Sequence, residues 1–285
     1  MYILNVYFRG KFHDMRLTLI LLLIFSLHFS ATGQQGFELG AWVGSSWYFG
    51  DLNNNNSLSM PGWSAGITGR YDMDERVAFR LGGAIARVRA DDAVLGNSYE
   101  RTRNLHFRSM LWEASVAAEF NFLPYVHGSK NHKFTPHIFG GFVVFGYNPQ
   151  AELDGVWLNL VDFGTEGQEL NDEYYPVGMG WLLGGGIKFD ISQTLSVNIE
   201  WGGRFTNTDY LDDVSGQYPN MDALQRRRGV DAVRLSDPSL SDPKLGQPGR
   251  QRGNSKDNDK YHFFSIGVMR FFGDLKCPAV SRNYY

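Results

Sequence analysis

The chain has 285 residues, of which 33 are Gly, 15 % are aromatic, 20 % are charged and one is Cys, with a formal charge of -3. Glycine exceeds its usual share of about 7 %. A mean hydropathy of -0.30 with a single long apolar run excludes a polytopic helical membrane protein, the aromatic content excludes disorder, the charge gives no whole-chain attraction to nucleic acid, and one thiol makes neither an internal disulfide nor a thiolate cage.

The apolar run, Leu17 to Phe29, follows Arg16 and precedes Ser30-Ala31-Thr32-Gly33, with Ala31 and Gly33 at the small-residue spacing of a cleavage site. It is too short to span a membrane as a helix, so residues 1–33 are expected to be a signal peptide, with Met15 as an alternative start. Removing Arg9, Lys11, Arg16 and Asp14 takes the formal charge from -3 to -5. The mature chain is expected outside the cytoplasm.

From Gln34 onward the dominant pattern is alternation with period two, the mark of strands with unlike faces. In the first segment Phe37, Leu39, Ala41, Val43, Trp47 and Phe49 share one face, and Glu38, Gly40, Gly44, Ser46 and Tyr48 the other. The second sets Trp63, Ala65, Ile67, Tyr71 and Met73 against Ser64, Gly66, Thr68, Arg70 and Asp72. The third sets Val77, Phe79, Leu81 and Ile85 against Ala78, Arg80, Gly82, Ala84 and Ala86. The fourth sets Trp112, Ala114, Val116, Ala118, Phe120 and Phe122 against Glu113, Ser115, Ala117, Glu119 and Asn121. The fifth, Phe134 to Tyr147, is apolar on both faces and its facing is open. The sixth opposes Trp181, Leu183, Ile187 and Phe189 to Gly184, Gly186, Lys188 and Asp190, and the seventh opposes Leu195, Val197, Ile199, Trp201 and Phe205 to Ser196, Asn198, Glu200, Gly202, Arg204 and Thr206. The eighth, Tyr261 to Phe272, is again apolar on both faces.

The connections alternate in length. Short turns at Asp74-Glu75 and Ile191-Ser192-Gln193 and a medium one from Leu123 to Lys133 lie between long polar segments 51–61, 90–104, 148–178 and 207–260. Eight strands with short turns at one rim and long loops at the other predict an all-β, eight-stranded antiparallel up-and-down barrel over 34–272, with long external loops 148–178 and 207–260 and a tail 273–285.

A secreted lipocalin-like barrel shows the same alternation, and residue size separates the two. Eight strands enclose a lumen just wide enough for their own side chains. The polar face is mostly Gly, Ala and Ser, with Arg70, Arg80 and Arg204 balanced by Glu113, Glu119 and Glu200, as a narrow lumen of paired charges requires. The Trp, Phe, Leu and Ile face is too bulky for that lumen, so it points outward into lipid, with Trp47, Tyr48, Trp63, Tyr71, Trp112, Trp181 and Trp201 expected in aromatic girdles. This is a transmembrane barrel of outer-membrane type. Its even strand number puts both termini on the periplasmic side, and eight strands leave no aqueous bore.

Several strings go beyond generic barrel chemistry: Tyr48-Phe49-Gly50-Asp51-Leu52-Asn53, Arg103-Asn104-Leu105-His106-Phe107-Arg108, Asn121-Phe122-Leu123-Pro124-Tyr125, Thr135-Pro136-His137-Ile138-Phe139-Gly140, Gly164-Thr165-Glu166-Gly167-Gln168, Thr208-Asp209-Tyr210-Leu211-Asp212-Asp213-Val214-Ser215, Arg252-Gly253-Asn254 and the Cys277-Pro278 tail. In this order they resemble the PorG family, an outer-membrane barrel component of the type IX secretion system. His137, where the family has Tyr, and the stretch from Ala223 to Gln251 depart from it. The resemblance implies a structural role in protein secretion, anchoring a periplasmic ring of PorK-like lipoprotein and PorN-like subunits to the outer membrane, with no cofactor and no catalytic step.

Candidate partner contacts on the periplasmic side are Leu123, Pro124 and Tyr125, Asp74 and Glu75, and Cys277, a lone thiol either unpaired or cross-linked to another protein. Thr165, Glu166, Gly167 and Gln168 read as a turn tucking a loop over the barrel mouth, or as a recognition element. Asp209, Asp212 and Asp213, beside Thr208 and Tyr210, read as a solvated acidic rim or partners of loop arginines in preference to a cation site, since no calcium-loop spacing is present. Arg226-Arg227-Arg228 lies in a mixed-charge loop, mobile or facing lipopolysaccharide, and His127, His132 and His137 read as a wet polar turn in preference to a metal site. The alternatives are a barrel enzyme acting on lipid A or other lipids, with His106 as its best candidate although Gly-x-Ser-x-Gly is absent, and an adhesin-like barrel.

Overall fold

The computed structural model describes residues 34–275, so the signal-peptide segment 1–33 and Cys277 lie outside the described residues. Eight long strands form the wall: β1 (Gly36–Phe49), β2 (Gly62–Asp72), β3 (Val77–Asp91), β4 (His106–Asn121), β5 (Phe134–Leu153), β7 (Val177–Asp190), β8 (Leu195–Thr206) and β9 (Lys260–Phe272), with the short β6 (Val156–Asn159) in a loop. Each wall strand pairs antiparallel with its neighbour in sequence order, β1 pairs with β9, and β4 with β5. The sheet is a closed eight-stranded antiparallel barrel, and closure leaves no wall edge unpaired. Among the described residues no helix is long and apolar enough to cross a membrane.

Each strand keeps the parity its sequence announced. Leu81 is 67 % exposed on the outside and its partner Val116 is 49 % exposed, whereas Ala78 and Glu119, paired on the inside, are buried. The same exposed apolar face continues through Leu39, Ile67, Phe142, Leu183 and Ile266. An unbroken belt of exposed Leu, Ile, Val and Phe around a closed sheet is the surface that lipid solvates.

The open facings of the fifth and eighth strands resolve from the same contacts. On β5, Phe134, Ile138, Phe142 and Val144 face out, and Thr135, His137, Phe139, Val143, Phe145 and Tyr147 face in. On β9, Phe264, Ile266, Val268 and Phe272 face out, with Tyr261, Phe263, Met269 and Phe271 buried inside. Both strands read as apolar on two faces because the lumen is not uniformly polar. Its loop-side half is filled by Tyr48, Phe107, Leu111, Phe145, Tyr147, Tyr261 and Phe263, onto which Leu52, Leu95, Leu105, Leu211 and Val214 descend from the loops. This corrects the expectation that bulky residues lie outside only, and it removes Tyr48, buried inside, from the outer girdle. Alternating glycine against aromatic lets the large rings fit: a Cβ at Gly178 would lie 2.6 Å from the Phe145 ring, and one at Gly184 2.3 Å from the Phe139 ring.

The long loops carry structure that periodicity did not reveal. The segment after β3 folds into α1 (Asp92–Leu95) and α2 (Ser98–Arg103), the latter opened by an Asn97–Glu100 capping box. β5 runs past its expected end at Tyr147 to Leu153 and turns through Asp154-Gly155 into β6. The longest loop holds α3 (Met221–Arg228) and α4 (Val230–Ser236), with Leu224, Ala232 and Leu235 buried. It is a packed lid over the barrel, which corrects the expectation of a mobile solvated loop.

Leu81→Arg places a charge in the middle of the outer belt and is expected to destabilise the barrel by about 2–4 kcal/mol. Reversible urea unfolding in phospholipid vesicles measures this, and an effect below about 0.5 kcal/mol, the size expected of an ordinary surface substitution, would show that Leu81 does not face lipid.

Candidate functional site

The turn-side half of the lumen is a network of charges. Arg70 on β2 is fully buried, 3.0 Å from Glu38, 3.2 Å from Glu119 and 3.7 Å from Glu200. Arg80 on β3 lies 3.1 Å from Glu119 and 2.8 Å from Glu200, and its guanidinium covers the Phe139 ring at 4.3 Å. Arg70 and Arg80 are direct cross-strand partners, a repulsive pair that the interleaved carboxylates turn into an attractive lattice. Lys188 adds a further contact to Glu119. Nearer the loops, Arg204 binds Glu113 at 2.7 Å, and the Tyr261 hydroxyl donates to the same carboxylate at 2.8 Å.

All six lumen charges expected from sequence, Arg70, Arg80, Glu113, Glu119, Glu200 and Arg204, therefore point inward. Glu38 and Lys188 belong with them, and their parity in β1 and β7 was the signal. His137 sits in the lumen with Nε2 3.1 Å from Glu200, and His127 from the turn lies 3.3 Å from Glu38 and 3.1 Å from Asp190. Both are buried, which corrects the wet polar turn, and neither joins His132, which is exposed. Burial alone would push His127 down, but the adjoining Asp190 and Glu38 carboxylates raise it to about 9, so it serves as a cation. Glu38, Asp72 and His127 converge, as do Glu119, His137 and Glu200. Arg70, Arg80, Lys188 and His127 stand against Glu38, Glu119 and Glu200 as ion pairs, whereas Asp72 makes no ion pair among the described residues.

The lumen is closed. Among the described residues, voids of about 40 and 10 Å³ lie in it, room for a few water molecules. Above them the aromatic plug meets a second polar cluster built entirely from loops. The Tyr48 hydroxyl lies 2.5 Å from Asp212 Oδ2 and 2.8 Å from Asp259 Oδ1. Burial raises both acids well above the usual carboxylate range, helped by the charge of Asp259 on Asp212 and by those of Asp209 and Asp51 on Asp259. Asp213 accepts from Thr165 and Tyr174 and faces Arg252 at 3.8 Å. Glu166 accepts the backbone N–H groups of Ser215 and Gly216 at 2.9 and 3.0 Å and pairs with Arg252 at 3.1 Å. Arg103 clamps Asp92 at 2.7 Å and donates to the carbonyls of Asp51 and Arg252, while Asp51 Oδ2 accepts from Asn254 N–H.

The strings Gly50-Asp51-Leu52-Asn53, Arg103-Asn104, Thr165-Glu166-Gly167-Gln168, Thr208 to Ser215 and Arg252-Gly253-Asn254 thus meet in one clasp across the barrel mouth. Gly167, at φ +88°, makes the turn that brings Glu166 round to Ser215. Gln168 Oε1 accepts from Glu166 N–H within that turn, Thr208 and Tyr210 line the clasp, and Asp209 is buried without a hydrogen-bond donor among the described residues. The solvated acidic rim is corrected: these acids are buried, and Asp213 takes a loop arginine.

Below the barrel, Leu123 is 47 % exposed and Pro124 half-buried, whereas Tyr125 is buried and its hydroxyl donates to Asp190, which withdraws it from any partner surface. Asp74 caps its turn by accepting from Arg76 and Val77 N–H, and the Glu75 carbonyl accepts from Tyr125 N–H. His106 Nε2 accepts Glu152 N–H at 3.0 Å and its ring stands edge-on to Trp157. That leaves it a loop-anchoring histidine.

The model of a domain of unknown function, DUF6089, matches residues 15–231, and the chain belongs to that family. No curated protein matches its sequence. Among solved structures, it is similar to Neisserial surface protein A, with 11 % identity over 84 % of this chain and 99 % of that one and a TM-score of 0.41. It is also similar to OprG, an outer membrane protein from Pseudomonas aeruginosa, with 10 % identity over 86 % and 100 % and a TM-score of 0.40. Ail, the attachment invasion locus protein of Yersinia pestis, solved with the heparin analogue sucrose octasulfate, shows 9 % identity over 84 % and 99 % and a TM-score of 0.41.

Arg70→Met leaves Glu38 and Glu119 buried beside fewer cations and is expected to cost about 3–5 kcal/mol, as breaking a buried ion pair does. Equilibrium unfolding checks it, and a loss below about 1 kcal/mol, the value of an exposed pair, would show the network to be solvated. The clasp carries a pH dependence. Burial raises Asp209 to about 7 and Asp213 to about 6, the latter against the pull of Arg252. Both folded values exceed the unfolded value of about 3.9, so the folded lid holds these protons more tightly. Its stability is complete below about pH 4 and falls as pH rises through about 6 and 7. Amide exchange over residues 208–216, corrected for intrinsic rates, should show weaker protection at pH 8 than at pH 5, and Asp209→Asn should reduce that difference, with Asp212, Asp213 and Asp259 supplying the remainder.

Proposed function

We propose that this member of the DUF6089 family is an outer-membrane protein of structural role, a PorG-like component of the type IX secretion system that anchors a periplasmic ring of PorK-like and PorN-like subunits. The observation that carries the structural role is the sealed lumen. A charge lattice fills the turn-side half and an aromatic plug the loop-side half, so the barrel offers neither a conduit nor an internal ligand chamber. A barrel that conducts nothing acts through its outer surfaces, as an anchor does. The lipid-compatible belt supports placement in a bilayer, and the unequal rims support the short turns facing the periplasm with both chain ends.

The secretion role is supported by the strings that resemble PorG, five of the eight having one joint task in the mouth clasp. Docking would then use what the short-turn rim leaves free: exposed Leu123 and Ile191, half-buried Pro124, and the Asp74-Glu75 turn. Five exposed or half-exposed turn residues of mixed character suit a partner seated against the membrane surface.

Co-purification tests the reading. A tagged chain expressed at native level and extracted from its own membranes in mild detergent is expected to bring down PorK-like and PorN-like subunits, and its deletion to stop export of type IX cargo. Recovery of the barrel alone with cargo export intact would overturn it.

A further inference from the structure

Every arginine inside the barrel faces a carboxylate, but one group on the outside does not. On β3, Ile85 is the last apolar outward residue, 50 % exposed and paired with the 52 % exposed Trp112 of β4. Beyond that pair the outward positions are Arg87 opposite Met110, then Arg89 directly opposite Arg108. Arg87 and Arg89 are exposed and Arg108 is half-buried. Among the described residues none of the three makes an ion pair.

Like charges placed directly across a strand pair weaken the sheet, and no carboxylate among the described residues pairs with them, the outward Glu152 of β5 and Asp91 of β3 each standing one outward position further toward the loops. On the β5 side the partners of Met110 and Arg108 are the neutral Asn148 and Gln150. The nearest acid on the same face of β3, Asp91, has its carboxylate engaged by Ala93 N–H as a helix cap. Arg108 is nevertheless held in place: Nε donates to Gln150 Oε1 at 3.1 Å, and the guanidinium lies 3.8 Å over the Trp157 ring. Its terminal N–H groups remain free, aimed at the same outer face as Arg87 and Arg89. A fixed guanidinium beside two free ones, flanked by amides, is a receptor for a doubly charged oxyanion, which arginine binds through two parallel hydrogen bonds.

Depth identifies the source of that anion. From Val77 to Ile85 the belt runs about 27 Å along β3, about 20 Å vertically at the usual tilt of such barrels. Arg87 and Arg89 stand immediately past its loop-side end, with Trp112 below and Trp157 above. This is the headgroup level, where tryptophans and basic clusters meet lipid phosphates. We infer that Arg87, Arg89 and Arg108 form a binding site on the outer wall for the phosphate groups of a phosphorylated glycolipid in the surrounding outer leaflet. The inference rests on the outer-membrane placement and orientation proposed above.

Native mass spectrometry of the mature chain, folded in zwitterionic detergent and titrated with bis-phosphorylated lipid A, tests it. One lipid is expected to bind saturably. Loss of each arginine should weaken binding about fivefold, so that Arg87→Gln with Arg89→Gln weakens it about 25-fold while Arg108→Gln alone gives about fivefold. Arg226→Gln with Arg227→Gln, in the lid, should leave it unchanged, and heat-modifiable gel migration verifies that each variant is folded. If the double variant does not fold, Arg108→Gln and the pair Arg87→Lys with Arg89→Lys, which keep most of the surface, carry the comparison. Equal binding of the double variant, equal binding of dephosphorylated lipid A, or saturation by inorganic phosphate at the same concentration would each overturn the site. Density fractionation of native membranes is read separately: a barrel still in the outer-membrane fraction but indifferent to lipid A overturns this inference alone, whereas a barrel absent from that fraction overturns the placement on which it rests.

Discussion

The structure depends on one geometric constraint, the bore of an eight-stranded barrel. Such a lumen has room for its own side chains and almost nothing else, so no inward polar group can rely on water. Every inward charge must find its opposite within the wall, and Arg70 is the clearest consequence: fully buried, it touches Glu38, Glu119 and Glu200 from three other strands. Because those acids come from β1, β4 and β8, the guanidinium ties together staves that are not neighbours. The same constraint explains the loop-side half, where the inward positions carry rings packed against glycines.

The division of the lumen into a charged half and an aromatic half has a consequence for the loops. Loops that met a water-filled mouth could remain solvated and mobile. Here they meet an apolar plug, so Leu52, Leu95, Leu105, Leu211 and Val214 are drawn onto it. Their polar backbones and carboxylates are thereby buried and must be satisfied among themselves. The clasp of Arg103, Arg252, Glu166, Asp213 and Asp259 is how this is done, and burial raises the proton affinities of Asp213, against the pull of Arg252, and of Asp259. Lid, plug and lattice are three responses to the lack of internal water.

The outer surface obeys the opposite rule. Where lipid is the solvent, apolar side chains need no polar partners, and the belt of Leu81, Val116, Phe142 and Leu183 stays exposed. The exceptions stand at the rims. Arg87, Arg89 and Arg108 are unpaired at the loop-side boundary, and Leu123 and Ile191 are exposed at the turn-side boundary, so both rims present chemistry that the barrel does not satisfy internally.

Period two, residue size and connection length were enough to determine the strands, their facing in six of eight cases, the closed antiparallel barrel and the inward set Arg70, Arg80, Glu113, Glu119, Glu200 and Arg204. These are local properties: alternation follows from the pleat, and a charge beside glycine and alanine on one face can only belong to a narrow interior. What the sequence could not determine was anything requiring distant segments to meet. Strands β5 and β9 were opaque because their inward aromatics pack against rings contributed by other strands. His127 read as wet until Glu38 and Asp190 were seen to enclose it. Tyr125 read as a surface contact until its hydroxyl was placed on Asp190, and the acids from Asp209 to Asp213 read as a rim until the plug beneath buried them. Burial and pairing are properties of closure, and only the tertiary structure brings together residues such as Asp51 and Asn254, separated by about two hundred positions in the chain.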